Sequence, residues 1–111
     1  MIIQWFIGDY EPHNVYAGIP NRPGNSSAQL NQPQGVTMDK YGNLYIVDCD
    51  NHRIQLFCPD AVFGFTIAGT GSSGKSSSEL SYPRGVALDA DLNLYVTDTY
   101  NQRIQKFERI Q

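Results

Sequence analysis

Pro33-Gln34-Gly35-Val36-Thr37-Met38-Asp39 opens a stretch that ends at Phe57, and fifty residues on Pro83-Arg84-Gly85-Val86-Ala87-Leu88-Asp89 opens another that ends at Phe107. Thirteen of the twenty-five aligned positions are identical: Pro33, Gly35, Val36, Asp39, Asn43, Leu44, Tyr45, Asp48, Asn51, Arg53, Ile54, Gln55 and Phe57 all recur. Other changes are mild, as in Met38 to Leu88 and Ile46 to Val96. Self-similarity at a fixed period of this length marks a repeat architecture, so the fold is read from one unit.

The likeness extends upstream at an offset of 51, where Ile3-Gln4-Trp5-Phe6 aligns with Ile54-Gln55-Leu56-Phe57 and Val15-Tyr16-Ala17-Gly18 with Thr66-Ile67-Ala68-Gly69. The apolar N-terminus therefore reads as the tail of an earlier repeat. It has neither the basic leader nor the small-residue cleavage site of a signal peptide.

Within one repeat the pattern predicts four short strands, at 35–39, 43–48, 53–57 and 63–68. Asp39-Lys40-Tyr41-Gly42-Asn43 and Asp48-Cys49-Asp50-Asn51 supply the turn residues between them. Leu44 and Ile46 fall on one face of the second strand and Tyr45 and Val47 on the other, so both faces are apolar, as in a sheet covered on two sides. A four-stranded unit of this length, repeated and covered on both faces, is a propeller blade. The fold class expected is all-β, a partial, open β-propeller of four-stranded antiparallel blades. Residues 1–18 supply the last two strands of a preceding blade and 33–68 a complete blade. Residues 83–107 form a blade lacking its outer strand, and 19–32 and 69–82 are inter-blade loops.

The pattern P-x-G-V-x-h-D-x-x-x-N-L-Y-h-x-D-x-x-N-x-R-I-Q-x-F, with h apolar, closely resembles the NHL repeat. Leu92 departs from it where the first copy has Gly42, which predicts a different turn in the later copy. The resemblance implies a ring of about six blades, so closing it takes further blades from a longer chain or self-assembly. It also implies a non-catalytic module for protein recognition, in some relatives the substrate-recognition part of E3 ubiquitin ligases. Two alternatives stand beside this. One is a fragment of a propeller enzyme, a metal-dependent lyase or hydrolase such as an amidating lyase. The other is RNA binding.

Several residues invite a chemical reading. Gly69-Thr70-Gly71-Ser72-Ser73-Gly74-Lys75-Ser76 spells the phosphate-binding P-loop. That motif needs a helix directly after it to face the phosphates, and Pro83 follows too soon. A flexible Gly/Ser loop between blades is the reading adopted. Asp48, Asn51 and Arg53 recur as Asp98, Asn101 and Arg103. A catalytic site is needed once, so a constellation recurring at blade period is read as structural, with Asp and Asn capping turns and the arginines bridging blades. Asp39 and Asp89 are read as turn-formers. No catalytic residue, cofactor or metal site is expected, because His13 and His52 sit at unlike places in the repeat. Cys49 and Cys58 are expected to be reduced thiols.

The fourth-to-first-strand loops and second-to-third-strand turns share one end of a propeller. Arg22, Lys75 and Arg84 in the loops, with Asp50, His52, Tyr100 and Gln102 at the turns, differ between copies while the frame repeats. Varied tips on a fixed scaffold make a recognition surface, and these seven residues are the candidate binding set. The net charge of −3 disfavours RNA, which calls for clustered Lys and Arg. No apolar run has the length of a membrane span. The compartment is left open.

Overall fold

The computed structural model describes residues 2–4, 14–18, 22–59, 61 and 63–109. Trp5, Phe6 and His13 lie outside these residues. Nine strands are described. β1 (Ile2–Gln4) and β2 (Asn14–Ala17) pair antiparallel. β3 (Pro33–Met38), β4 (Leu44–Asp48), β5 (Arg53–Phe57) and β6 (Phe65–Gly69) form a four-stranded sheet in sequence order. β7 (Gly85–Leu88), β8 (Leu94–Asp98) and β9 (Arg103–Phe107) form a three-stranded one. All pairings are between antiparallel neighbours. The chain is all-β, a partial propeller. β3 begins earlier than its pattern predicts, because Pro33 still pairs with Asp48. β6 begins later, at Phe65.

The covered faces follow from the apolar pattern. Val47, Ile54 and Ala68 of the middle sheet pack with Leu94, Val96 and the loop residue Leu80 into one buried cluster between the two larger sheets. Leu44, Ile46 and Phe57 form a second cluster with Leu30, on the other face. Each of the buried Val, Leu, Ile and Phe side chains contributes roughly 1.5–3 kcal/mol by leaving water. Among the described residues the last sheet has only one face covered. Thr97, where the first copy has Val47, is exposed, and Ile104 is 73% exposed where Ile54 is 0%.

The β3–β4 and β7–β8 turns correct one expectation. Leu92 adopts φ +64, beside φ +88 at Gly42. The two turns close alike, with Gly42 N–H to Asp39 O at 3.2 Å and Leu92 N–H to Asp89 O at 3.0 Å. The later copy thus keeps the turn and carries a left-handed leucine, at a cost of about 1–2 kcal/mol. In each copy the aspartate specifies the turn. Asp39 Oδ1 accepts from the N–H groups of Tyr41 and Asn43, and its Oδ2 from Asn43 Nδ2 and the Tyr45 hydroxyl. Asp89 does the same with Asp91, Asn93 and Tyr95.

Candidate functional site

The loop end of the sheets is built from two repeated devices. The first is a short 3-10 turn between the second and third strands of each blade, Cys49–Asn51 and Thr99–Asn101. Each ends on a left-handed residue, His52 or Gln102, whose N–H returns to the first carbonyl of the turn. The second is a clamp made by Asp48, Asn51 and Arg53, and again by Asp98, Asn101 and Arg103.

In the clamp the aspartate is wholly buried. Asp48 Oδ1 accepts from the Asn31 N–H, while its Oδ2 accepts from Asn51 Nδ2 and Arg53 Nε. Asn51 then donates to Gly24 O, and Arg53 to the carbonyls of Asn25, Ser26 and Gln29. The later copy repeats every bond. Asp98 accepts from Ser81, Asn101 and Arg103; Asn101 donates to Gly74 O; Arg103 donates to the carbonyls of Lys75, Ser76 and Glu79. Each arginine thus gathers three backbone carbonyls of the loop leading into its own blade. A guanidinium suits this because it presents a fixed fork of donors and stays charged.

Among the described residues the inter-blade loops form hydrogen-bonded turns, where their composition suggests flexible Gly/Ser linkers. Gly24 N–H bonds to Leu30 O and Gln29 N–H to Ser26 O; fifty residues on, Gly74 N–H bonds to Leu80 O and Glu79 N–H to Ser76 O. The period of 50 thus extends back to Gly24. The same geometry decides the P-loop spelling. A phosphate cradle turns N–H groups inward. Here the carbonyls of Gly74, Lys75 and Ser76 point into the clamp, and the Ser76 N–H faces Glu79 Oε1. The loop presents acceptors to a cation, the reverse of an anion site.

Of the seven candidate binding residues, the structure brings His52 and Tyr100 together through a residue the sequence reading missed. Tyr82 N–H donates to His52 Nδ1 at 3.1 Å, and the two rings meet edge-on with centroids 4.4 Å apart. Tyr82 in turn lies 6.0 Å from Tyr100, ring centre to ring centre. Tyr82 is 42% and Tyr100 74% exposed. This aromatic ledge crosses the boundary between two blades. The ledge is fixed from below, since Tyr100 N–H bonds to Ser81 O. Tyr82 could have been found from the copies, which place Gln32 at the equivalent site, also at positive φ.

The other candidates surround the ledge unevenly. Asp50 and Arg84 are exposed and lie close to Cys49. Burial and then Asp50 push the Cys49 thiol above its ordinary range, while Arg84 pulls the other way. Gln102 caps the second 3-10 turn. Arg22 and Lys75 are exposed in the two loops, and among the described hydrogen bonds neither side chain reaches the ledge. Cys58 is exposed and Cys49 buried, both free. Among the described residues no cluster of three or more His, Cys, Asp or Glu side chains could hold a metal, and no helix is long and apolar enough to cross a membrane.

Residues 30–57 and 80–107 each match the NHL repeat, and together they make up about half of the chain. Over 67 residues the chain is 37% identical to NHL repeat-containing protein 2 of Homo sapiens and 36% identical to that of Bos taurus. Those matches cover 60% of this chain and 9% of each relative, so the chain spans about a tenth of the length of these relatives. The matched segments hold both clamps, both Asp39-type turns and both 3-10 turns. On the repeat match and the duplicated geometry, this chain belongs to the NHL-repeat family.

Proposed function

We infer that the chain is a binding module rather than an enzyme, and that its loop end recognises a polypeptide. The observation that carries the reading is the His52–Tyr82–Tyr100 ledge. Exposed aromatics held rigidly at little entropic cost are the anchors from which protein interfaces draw most of their energy. The ledge residues vary between copies while the clamp beneath them does not. A polypeptide partner is favoured over RNA, because the chain is acidic overall and phosphate contacts need clustered cations. The finer reading, that such a module presents substrates to a ubiquitin ligase, needs ligase elements lying outside these residues.

The test is affinity capture with the wild-type chain, a Tyr82→Ala/Tyr100→Ala variant and a Tyr41→Ser control. Tyr41 is 63% exposed at the opposite end of the sheet. A protein retained by wild type and control but lost with the ledge variant supports the reading. Loss with the control alone, or retention by all three, rejects it. A gel shift with mixed RNA at physiological salt tests the RNA alternative.

A further inference from the structure

The ledge is fastened across the blade boundary by one titratable atom. Tyr82 N–H donates to His52 Nδ1 at 3.1 Å. In a neutral imidazole one ring nitrogen carries a hydrogen and the other accepts, so this bond puts the His52 hydrogen on Nε2. The ring contacts from His52 to Tyr82 and from Tyr82 to Tyr100 continue from the same fastening. Tyr82 is also a strained residue. It holds φ +47 directly before Pro83, where extended backbone is favoured. Gln32 holds φ +55 before Pro33, so the twist belongs to the repeat. Its neighbour Ser81 is tied down on both sides, N–H to Asp98 Oδ1 and carbonyl to the Tyr100 N–H. For the Tyr82 N–H, His52 is the acceptor among the described hydrogen bonds.

The groups around His52 do not reward a positive charge there. β6 brings Gly69, packed on the His52 carbonyl and uncharged. The loop ahead of β7 brings Tyr82 and, two residues on, the exposed cation Arg84. The second 3-10 turn brings the Tyr100 phenol, and Asp98 beneath it is buried and paired with Arg103. On its own turn, Asp50 is exposed, Cys49 is a buried thiol, and Asp48 and Arg53 are paired with each other. Among the described residues no carboxylate forms an ion pair with His52.

Histidine is the side chain whose charge ordinarily changes between about pH 5 and 8. We propose that His52 is a proton-operated latch on the ledge. A proton taken from solvent at Nδ1 turns the acceptor into a donor; Tyr82 N–H passes to water, the imidazole turns away, and the edge-on contact with Tyr82 is lost. This rests on the ledge being the recognition surface and adds its regulation: a partner is held at neutral pH and released in mild acid. Gln102 takes the equivalent place in the later copy and does not titrate, so the latch belongs to the boundary that His52 crosses.

The experiment follows the isotope-labelled 111-residue chain by NMR from pH 8 to pH 5, beside a His52→Gln variant whose amide oxygen can accept without titrating. The chain has two histidines, and the variant shows which ring signals belong to His52. The expected result at pH 8 is a hydrogen on Nε2 and none on Nδ1. On acidification the Tyr82 amide and the Tyr100 ring should shift with the His52 midpoint, and protection of the Tyr82 amide from exchange should fall about tenfold. In His52→Gln these signals should stay flat. A hydrogen on Nδ1 at pH 8, Tyr82 signals that ignore the His52 transition, or the same transition in His52→Gln overturns the proposal. The regulatory step is read from the yield of a photo-crosslinked polypeptide at Tyr100. The ratio of yields between pH 7.5 and 5.5 should be about ten in the otherwise wild-type chain and near one with His52→Gln. Equal ratios in both overturn the regulation. No adduct at either pH counts against the recognition reading, and the latch then stands or falls on the Tyr82 signals.

Discussion

Arg53 donates its Nε hydrogen to Asp48 Oδ2 at 2.6 Å, with 8% of the arginine side chain and none of the aspartate side chain in contact with solvent. Arg103 and Asp98 repeat the pair at 2.7 Å, but there the arginine is 31% exposed. The difference in exposure sets a difference in energy. Removing one partner of a buried pair leaves an uncompensated charge and costs about 3–5 kcal/mol, while solvent softens the loss at an exposed one. Arg53→Ala should therefore destabilise by about 3 kcal/mol or more and Arg103→Ala by clearly less, as read from urea unfolding midpoints. Arg53→Lys should rescue little, because an ammonium group lacks the fork that reaches three carbonyls at once.

The clamp also shows where the sequence was legible and where it was not. The repeated Asp, Asn and Arg stand out by their period, and the apolar positions place the strands to within two residues. What they hold was hidden. The carbonyls of Asn25, Ser26 and Gln29 lie 24 to 28 residues away from Arg53, and backbone acceptors leave no trace in composition. Gly/Ser content therefore suggested flexibility in loops that are held by three carbonyl contacts each. Leu92 misled for a related reason: the Asp89 hydrogen bonds enforce the turn strongly enough to hold a leucine at positive φ. Tyr82 escaped because its role depends on a ring contact across the blade boundary.

The Asp39 turn predicts a pH dependence at both ends. Burial pushes the Asp39 carboxyl up, but hydrogen bonds from Asn43, Tyr41 and Tyr45 outweigh it and hold the group below its ordinary value. A depressed carboxyl stabilises the fold above its unfolded value, and that contribution is lost as pH falls through the folded one. Burial, followed by the bond to Asp39, raises the Tyr45 hydroxyl from 10.0 to about 12. Its contribution is fully present below pH 10.0 and disappears as pH rises through about 12. Asp39→Asn should reduce the acid limb of a stability–pH curve and leave the share of Asp89, which the Asn93 hydrogen bonds hold down in the later copy. Tyr45→Phe should flatten the alkaline limb and also weaken the acid one slightly, since it removes one of the bonds that hold Asp39 down.

The two thiols should differ sharply in reactivity. Cys58 is exposed and Cys49 buried, with its thiol raised first by burial and next by Asp50. Since the thiolate is the reactive form, an aromatic disulfide reagent should modify one thiol quickly in the native chain and the second only on unfolding. Cys58→Ser should abolish the fast phase. A fast phase that survives this change would contradict the packing around the first 3-10 turn.

The central claim is that the loop end, organised by the clamps and crowned by His52, Tyr82 and Tyr100, is where this NHL-repeat chain meets another protein. Site-specific photo-crosslinking addresses it most directly, with a benzophenone side chain placed at Tyr100 in one preparation and at Tyr41 in another. The account predicts a discrete covalent adduct with a polypeptide from the Tyr100 position and none from Tyr41 at the far end. Adducts of equal yield from both positions, or from Tyr41 alone, would contradict it.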